Sequence, residues 1–220
     1  MNTQYKNTSN RLITAQQAEL EGSHYKEYLQ DGFVKIIEDR LYSEIESIIY
    51  YKDPEETDDE IFAKYKNIST INAIRIKKRD HQTQTPYIIE TEEIFLRDGD
   101  IFINQLLTIK ELIDPSGRIG SWEVFNKELP STDPEYRSVG KIFYFGSRDD
   151  DFDYEIPSLT TNYTGYGNLF EESRFDPGLS GDEQDVELFD RNETIAHLSN
   201  YPQEIIEWFL SDEFLPPSSF

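Results

Sequence analysis

A chain of 220 residues is long enough for one sizeable hydrophobic core, and its 21 Lys+Arg against 44 Asp+Glu leave a net charge of −23. It has no cysteine, which excludes a disulfide framework, a thiol nucleophile, an iron–sulfur cluster and any thiolate zinc site. Nucleic-acid phosphates and anionic membrane surfaces repel so acidic a chain, so neither is an expected partner, whereas a basic protein is steered toward it.

The charge is unevenly placed. Residues 1–79 carry 12 basic and 14 acidic side chains, and the remaining 141 carry 9 and 30. High net charge with modest hydrophobicity is also the signature of disorder, but 14 Phe, 14 Tyr and 2 Trp supply large side chains that demand burial. No run of 18 apolar residues occurs and the first twenty residues lack the apolar stretch of a secretory signal, so a cytoplasmic location is expected. The sequons at Asn7, Asn67, Asn162 and Asn192 are then accidental.

In chain order, residues 1–22 are polar without periodicity and are expected to form a loose arm or a short helix, followed by a single α+β domain over 23–220. Tyr25, Tyr28 and Leu29, and later Leu41, Ile45, Ile48 and Ile49, recur at spacings of three and four. That spacing predicts helices near 24–31 and 39–51, interrupted at Gly32, with Phe33 to Ile37 either helical or a short strand. Pro54 ends the second of these, and Asp58, Asp59 and Glu60 favour a new helix start through the macrodipole. Residues 68–79 alternate as a strand ending in the basic cluster Lys77, Lys78 and Arg79. Residues 86–96 fit either strand or helix, and Arg97-Asp98-Gly99-Asp100 carries a tight-turn signature. LLTIKELIDP predicts a strand running into a short helix from Thr108 to the stop at Pro115.

Farther on, VGKIFYFGS reads as a central strand and DDDFDYEIP as a second strand, with Phe152, Tyr154 and Ile156 on one face. Residues 158–184 read as a long loop, and VELFDRNETIAHL as a hairpin turning at Asp190-Arg191-Asn192. A terminal helix is expected over 200–213, capped by Ser199 or Asn200, with Pro202 in its first turn and Ile205, Ile206, Phe209 and Leu210 as its buried stripe.

The order of these blocks resembles the SUKH superfamily, which includes yeast Smi/Knr cell-wall-synthesis regulators and bacterial toxin immunity proteins. The resemblance rests on LLTIKELI, on KIFYFGSRDDDFDYEIP, on Val186-Glu187-Leu188-Phe189-Asp190, on SNYPQEIIEWFL and on Trp122 between the first two blocks, within about residues 85–215. The family's glycine run after the central strand is replaced here by Arg148 and four Asp residues, and its Leu-Pro-x-x-Tyr segment is absent unless Thr85-Pro86-Tyr87 is a remnant. The resemblance implies an α+β fold, helices packed on a mixed or antiparallel sheet, and protein binding without catalysis.

Catalytic fingerprints are missing. The three histidines, His24, His81 and His197, show no metal-ligand spacing, and no phosphate-loop, dinucleotide or nucleophile-elbow pattern occurs, so no catalytic residue, metal or cofactor is expected. Asp149, Asp150, Asp151 and Asp153 suit a hard cation by chemistry, yet the calcium-loop spacing is absent and an acidic strand edge fits better. The expectation is therefore an immunity-type inhibitor whose carboxylates cover a basic toxin, a nuclease being the natural case. Its contact residues would be Asp149, Asp150, Asp151, Asp153, Glu155, Glu171 and Glu172, with Tyr163, Tyr166 and Phe170 as aromatic anchors. The alternatives are a DNA mimic that blocks a nucleic-acid-binding defence enzyme, and an intracellular regulatory scaffold.

Overall fold

The computed structural model describes residues 1–81, 87–115, 119–144, 158–164, 167–173, 186–187, 196 and 198–217. They hold β1 (Asn2–Asn7), β2 (Leu12–Ile13), α1 (Ala15–Glu21), β3 (Ser23–Gln30), β4 (Phe33–Leu41), β5 (Glu44–Tyr51), α2 (Asp58–Tyr65) and β6 (Ala73–His81). Next come β7 (Ile88–Asp98), β8 (Ile101–Ile113), β9 (Ile119–Asn126), β10 (Arg137–Tyr144), β11 (Ser158–Thr164), β12 (Gly167–Ser173), β13 (Val186–Glu187) and α3 (Gln203–Phe209). The fold is α+β and mostly sheet; β5 and β6 pair in parallel while β4 with β5, and β9 with β10, pair antiparallel, so the sheet is mixed. Contacts gather the chain into two compact units: Met1–Arg79 with Thr91–Thr108, and Asp80–Glu90 with Ile109–Phe220. The expected arm, residues 1–22, lies in the first unit and supplies β1, β2 and α1.

The predicted helices near 24–31 and 39–51 are strands β3 and β5. In β5 the helix-like spacing has a physical origin in a bulge. Asp39 pairs with Ser47 and Arg40 with Ile45, so Glu46 is an extra residue, and Ile45 and Ile48 share a buried side although three positions apart. Likewise Tyr28 pairs with Ile36 and Leu29 with Val34, which makes Lys35 the additional residue of β4. Gly32 is no helix interruption: Asp31 (φ 53°) and Gly32 (φ 86°) form the two-residue turn between β3 and β4, the left-handed pair that a tight hairpin requires.

β5 reaches its parallel neighbour β6 through α2, which starts where the acidic run indicated. Thr57 and Glu60 close a reciprocal capping box, and Asp58, Asp59 and Glu60 sit in the first turn at the positive end of the helix dipole. α2 covers the sheet with Ile61 and Tyr65, against Ile45, Ile48, Tyr50, Ile71, Ile74, Ile76 and Phe95. The Phe62 ring stands edge-on to Phe95 at 4.9 Å and stacks on Phe102 at 5.3 Å.

Beside this core Glu56 gathers four donors: Lys35 Nζ at 2.7 Å, Tyr50 OH at 2.6 Å, the Asp53 amide at 3.0 Å and Lys64 Nζ at 3.2 Å. Burial opposes ionisation of this carboxyl, but the hydrogen bonds from Lys35, Tyr50, Asp53 and Lys64 outweigh it and hold the pKa at about 2 against an ordinary 4.5. The Glu56 contribution to stability is thus complete above pH 4.5 and is lost as pH falls toward 2. Urea midpoints should drop across that window in the native protein and less steeply in Glu56→Gln; equal slopes would show that another carboxylate governs acid unfolding.

LLTIKELI belongs wholly to β8, so the short helix predicted from Thr108 does not form; Thr108 is buried within the strand. β10 contains the VGKIFY run and lies between β9 and β11, as a central strand should. Gly140 pairs with Trp122, whose indole lies where a Cβ would project, so this close approach requires glycine. The predicted loop 158–184 holds the antiparallel pair β11 and β12, with Thr164 opposite Gly167. The terminal helix is shorter than expected: α3 spans Gln203–Phe209, Pro202 rather than Ser199 or Asn200 occupies its N-cap, and Leu210 its C-cap. Ile205, Ile206, Phe209 and Leu210 are buried as the stripe predicted, and Trp208 joins them against Leu198. The predicted strand DDDFDYEIP and the turn at Asp190-Arg191-Asn192 lie outside the described residues. Among the described residues no helix is long and apolar enough to cross a membrane.

Candidate functional site

Of the residues expected to contact a partner, Asp149, Asp150, Asp151, Asp153, Glu155 and Tyr166 lie outside the described residues. Tyr163 is on β11 opposite Asn168, while Phe170 and Glu171 on β12 face Thr161 and Thr160 in register. Glu172 is paired with Glu187 of β13. The backbone therefore brings Tyr163, Phe170, Glu171 and Glu172 onto one adjoining strand pair.

What surrounds such a surface follows from how the cations are used. Lys6 pairs with Glu27 at 3.0 Å, Lys35 with Asp53 and Glu56 at 2.7 Å each, Lys52 with Asp58 at 2.5 Å, and Arg75 with Glu92 at 2.7 Å. Lys77 reaches the same Glu92 at 3.3 Å, so the basic cluster seen in the sequence is partly an internal counterion for a buried carboxylate. In the second unit Glu123 takes both Lys110 at 3.3 Å and Arg137 at 2.5 Å. Buried carboxylates need such partners, because an unpaired ion out of water costs several kcal/mol. The consequence is that the cations are used within the units: among the described residues, exposed Asp and Glu outnumber exposed Lys and Arg by eighteen to five.

The first unit also contains a polar cavity of about 390 Å³ that sequence reasoning did not find, lined by Tyr5, Ala15, Ala18, Glu19, His24, Arg40, Tyr42 and Ser43. Strand register assembles it. Asn7, His24 and Arg40 are cross-strand partners on β1, β3 and β4, so His24 and Arg40 are direct neighbours on one face. The Tyr5 ring lies 6.1 Å from the imidazole. α1 roofs this end of the sheet: Thr14 caps it reciprocally with Gln17, Ala18 is its buried residue, and Gly22 (φ 75°) ends it against the Tyr42 ring.

His24 is 4% exposed and its Nδ1 has no hydrogen-bond partner among the described residues. Burial, reinforced by the Arg40 and Lys26 cations against Glu21 and Asp39, holds its pKa below the ordinary 6.5, so the ring is neutral at pH 7. Arg40 donates from Nε to Glu38 at 2.9 Å, and Glu38 in turn accepts from Tyr28 OH at 3.0 Å. That anchor points the guanidinium while its two Nη groups make no hydrogen bond among the described residues. In sequence His24 is merely one of three unspaced histidines; only the pairing of β3 with β4, whose alternation the bulge at Lys35 obscures, could have placed it beside Arg40.

No family model matches this chain, and no curated protein and no solved structure matches it. Its chemistry therefore has to be argued from its own residues. Among those described, no group of three or more His, Asp or Glu side chains is placed to hold a metal ion.

Proposed function

We propose that this protein is a non-catalytic acidic binding module that docks on a basic protein, as an immunity-type inhibitor does on a nuclease toxin. The sorting of charge supports the reading: cations neutralise buried carboxylates inside each unit, and among the described residues exposed Asp and Glu outnumber exposed Lys and Arg by eighteen to five. A protein that grips phosphates must display Lys and Arg, and an opposing carboxylate surface accelerates encounter and rejects wrong partners. Asp149, Asp150, Asp151, Asp153 and Glu155, with Glu171 and Glu172, supply the charge, and Tyr163, Tyr166 and Phe170 supply anchors able to bury area in a partner. The likeness to the SUKH immunity and regulatory proteins, on the sequence blocks that carry it, points the same way.

Capture of a partner from cytoplasmic extract should fall steeply as salt is raised from about 0.05 to 0.5 M, because the Debye length shrinks several-fold over that range. Simultaneous Asp149→Asn, Asp150→Asn and Asp151→Asn should weaken capture of the same protein by at least about tenfold, about 1.4 kcal/mol. Capture indifferent to both salt and the triple substitution would discard the acidic-surface mechanism. Competition by duplex DNA for the captured protein would locate the inhibitor over a nucleic-acid site.

A further inference from the structure

The cavity beneath α1 plays no part in that reading, and it has the features of a small-molecule site. Its volume of about 390 Å³ falls in the range of ligand pockets. Three features of its wall restrict what fits. Arg40 presents a guanidinium whose Nε is already fixed by Glu38, leaving its two Nη groups for a planar oxyanion. Glu19, exposed on α1, places a carboxylate on the same cavity. The rest of the lining is mixed: Tyr5, Ala15 and Ala18 are apolar or ring-bearing, and Tyr42 and Ser43 carry hydroxyls.

His24 is the observation that points to an occupant. A buried polar atom without a partner costs about 1–3 kcal/mol, and folded proteins rarely tolerate one without a use for it. Among the described residues Nδ1 of His24 is such an atom, on a side chain 4% exposed that lines the cavity. A ligand donor or acceptor reaching Nδ1 would remove that penalty and gain from it.

Charge decides the ligand class. A bare anion would match Arg40 but would meet Glu19 and the field of a chain at −23. A bare cation would gain from that field and meet Arg40. A zwitterion is neutral at long range and pairs with both groups at short range. We propose that this cavity binds a zwitterionic small molecule of α-amino-acid size, its carboxylate on the Arg40 Nη fork, its ammonium toward Glu19 and its apolar side chain against Ala15, Ala18 and Tyr5. The inference stands apart from partner docking, and failure of either leaves the other intact.

Titration calorimetry of the full chain near neutral pH tests it with three probes: L-phenylalanine, 3-phenylpropionate, which lacks the ammonium, and 2-phenylethylamine, which lacks the carboxylate. L-phenylalanine should bind saturably, with each single-charge analogue at least about tenfold weaker. Arg40→Lys keeps the charge but removes the fork, and should weaken L-phenylalanine and 3-phenylpropionate together. Glu19→Gln, an exposed change that leaves the core untouched, should narrow the gap between those two probes. Saturation should also shift the NMR resonances of the His24 ring, assigned through His24→Gln, whether or not Arg40→Lys folds. No saturable binding of L-phenylalanine or of the smaller L-alanine overturns the site. Equal affinity for L-phenylalanine and 3-phenylpropionate, or a His24 ring unmoved at saturation, overturns it as well.

Discussion

Arg97→Ala should lower the unfolding free energy of the first unit by about 3–5 kcal/mol, among the largest losses one substitution can cause. The Arg97 guanidinium donates Nε to the Ile71 carbonyl at 2.6 Å, and Nη2 to those of Ile68 at 2.9 Å and Tyr65 at 3.2 Å. Nη1 reaches the carbonyls of Lys66 and Gly99, each at 3.2 Å. Four of these five acceptors lie between the end of α2 and the start of β6, where a helix leaves its last carbonyls without intrahelical partners. A cation at this end also complements the helix dipole, and the Arg97 group lies 4.6 Å from the Phe102 ring. Charge-assisted hydrogen bonds are worth about 1.5–3 kcal/mol each in isolation but are not additive, which sets the ceiling given.

Arg97→Lys separates charge from geometry. A single ammonium cannot reach carbonyls spread around a planar fork, so lysine should recover less than half of the loss. Urea unfolding followed by circular dichroism measures both variants, and hydrogen exchange at Phe62, Tyr65 and Ile68 should quicken first. An Arg97→Ala protein within about 1 kcal/mol of the native one would show that water satisfies those carbonyls equally well.

Lys141→Ala should cost about as much, 3–5 kcal/mol, for a different reason. Lys141 is fully buried on β10, and its Nζ donates to the Trp208 carbonyl and, at 2.6 Å, to that of Ser211, tying the end of α3 to the sheet. The ammonium also lies 4.9 Å from the Trp208 ring. Truncation opens a cavity and strands both carbonyls. Burial, aided by nearby Arg137 and opposed by Asp212 and Glu213, pushes the Lys141 pKa down to about 7 from 10.5.

The sign of the pH dependence follows from that shift. Between pH 7 and 10.5 the unfolded chain holds a proton that the folded chain releases, so the stability contribution is complete above 10.5 and is lost as pH falls toward 7. The neutral amine still has two N–H donors for two carbonyls. Urea midpoints should therefore rise from pH 7 to about 9.5, and Lys141→Met should flatten that rise. Above that range Tyr65 turns the trend, since burial pushes its phenol above the ordinary 10.0. A native protein whose midpoint is level from pH 7 to 9.5 would mean that the ammonium stays protonated through its carbonyl contacts.

Local signals were legible where a single side chain or a short turn determines the outcome. The acidic run that opens α2, the turn at Asp98-Gly99-Asp100 and the apolar stripe of α3 all appear in the structure where the residues indicated. The failures share a cause. Ile45 and Ile48 imitate a helical pair because Glu46 is bulged out, and Thr108 imitates a helix cap while buried inside a thirteen-residue strand. Neither a bulge nor a strand partner can be read from spacing alone, since both depend on which strand lies alongside.

By itself the sequence determined the charge surplus, the absence of thiol chemistry, an α+β composition and the apolar content that makes a core possible, because these are sums over residues and need no partner. Tertiary structure alone decided which cations neutralise Glu56, Glu92 and Glu123, and that His24 meets Arg40 beneath α1. Those pairings span 8 to 21 positions of chain for the ion pairs and sixteen for the cavity. Register is chosen by burial of whole faces, a collective quantity that no window of neighbouring residues contains.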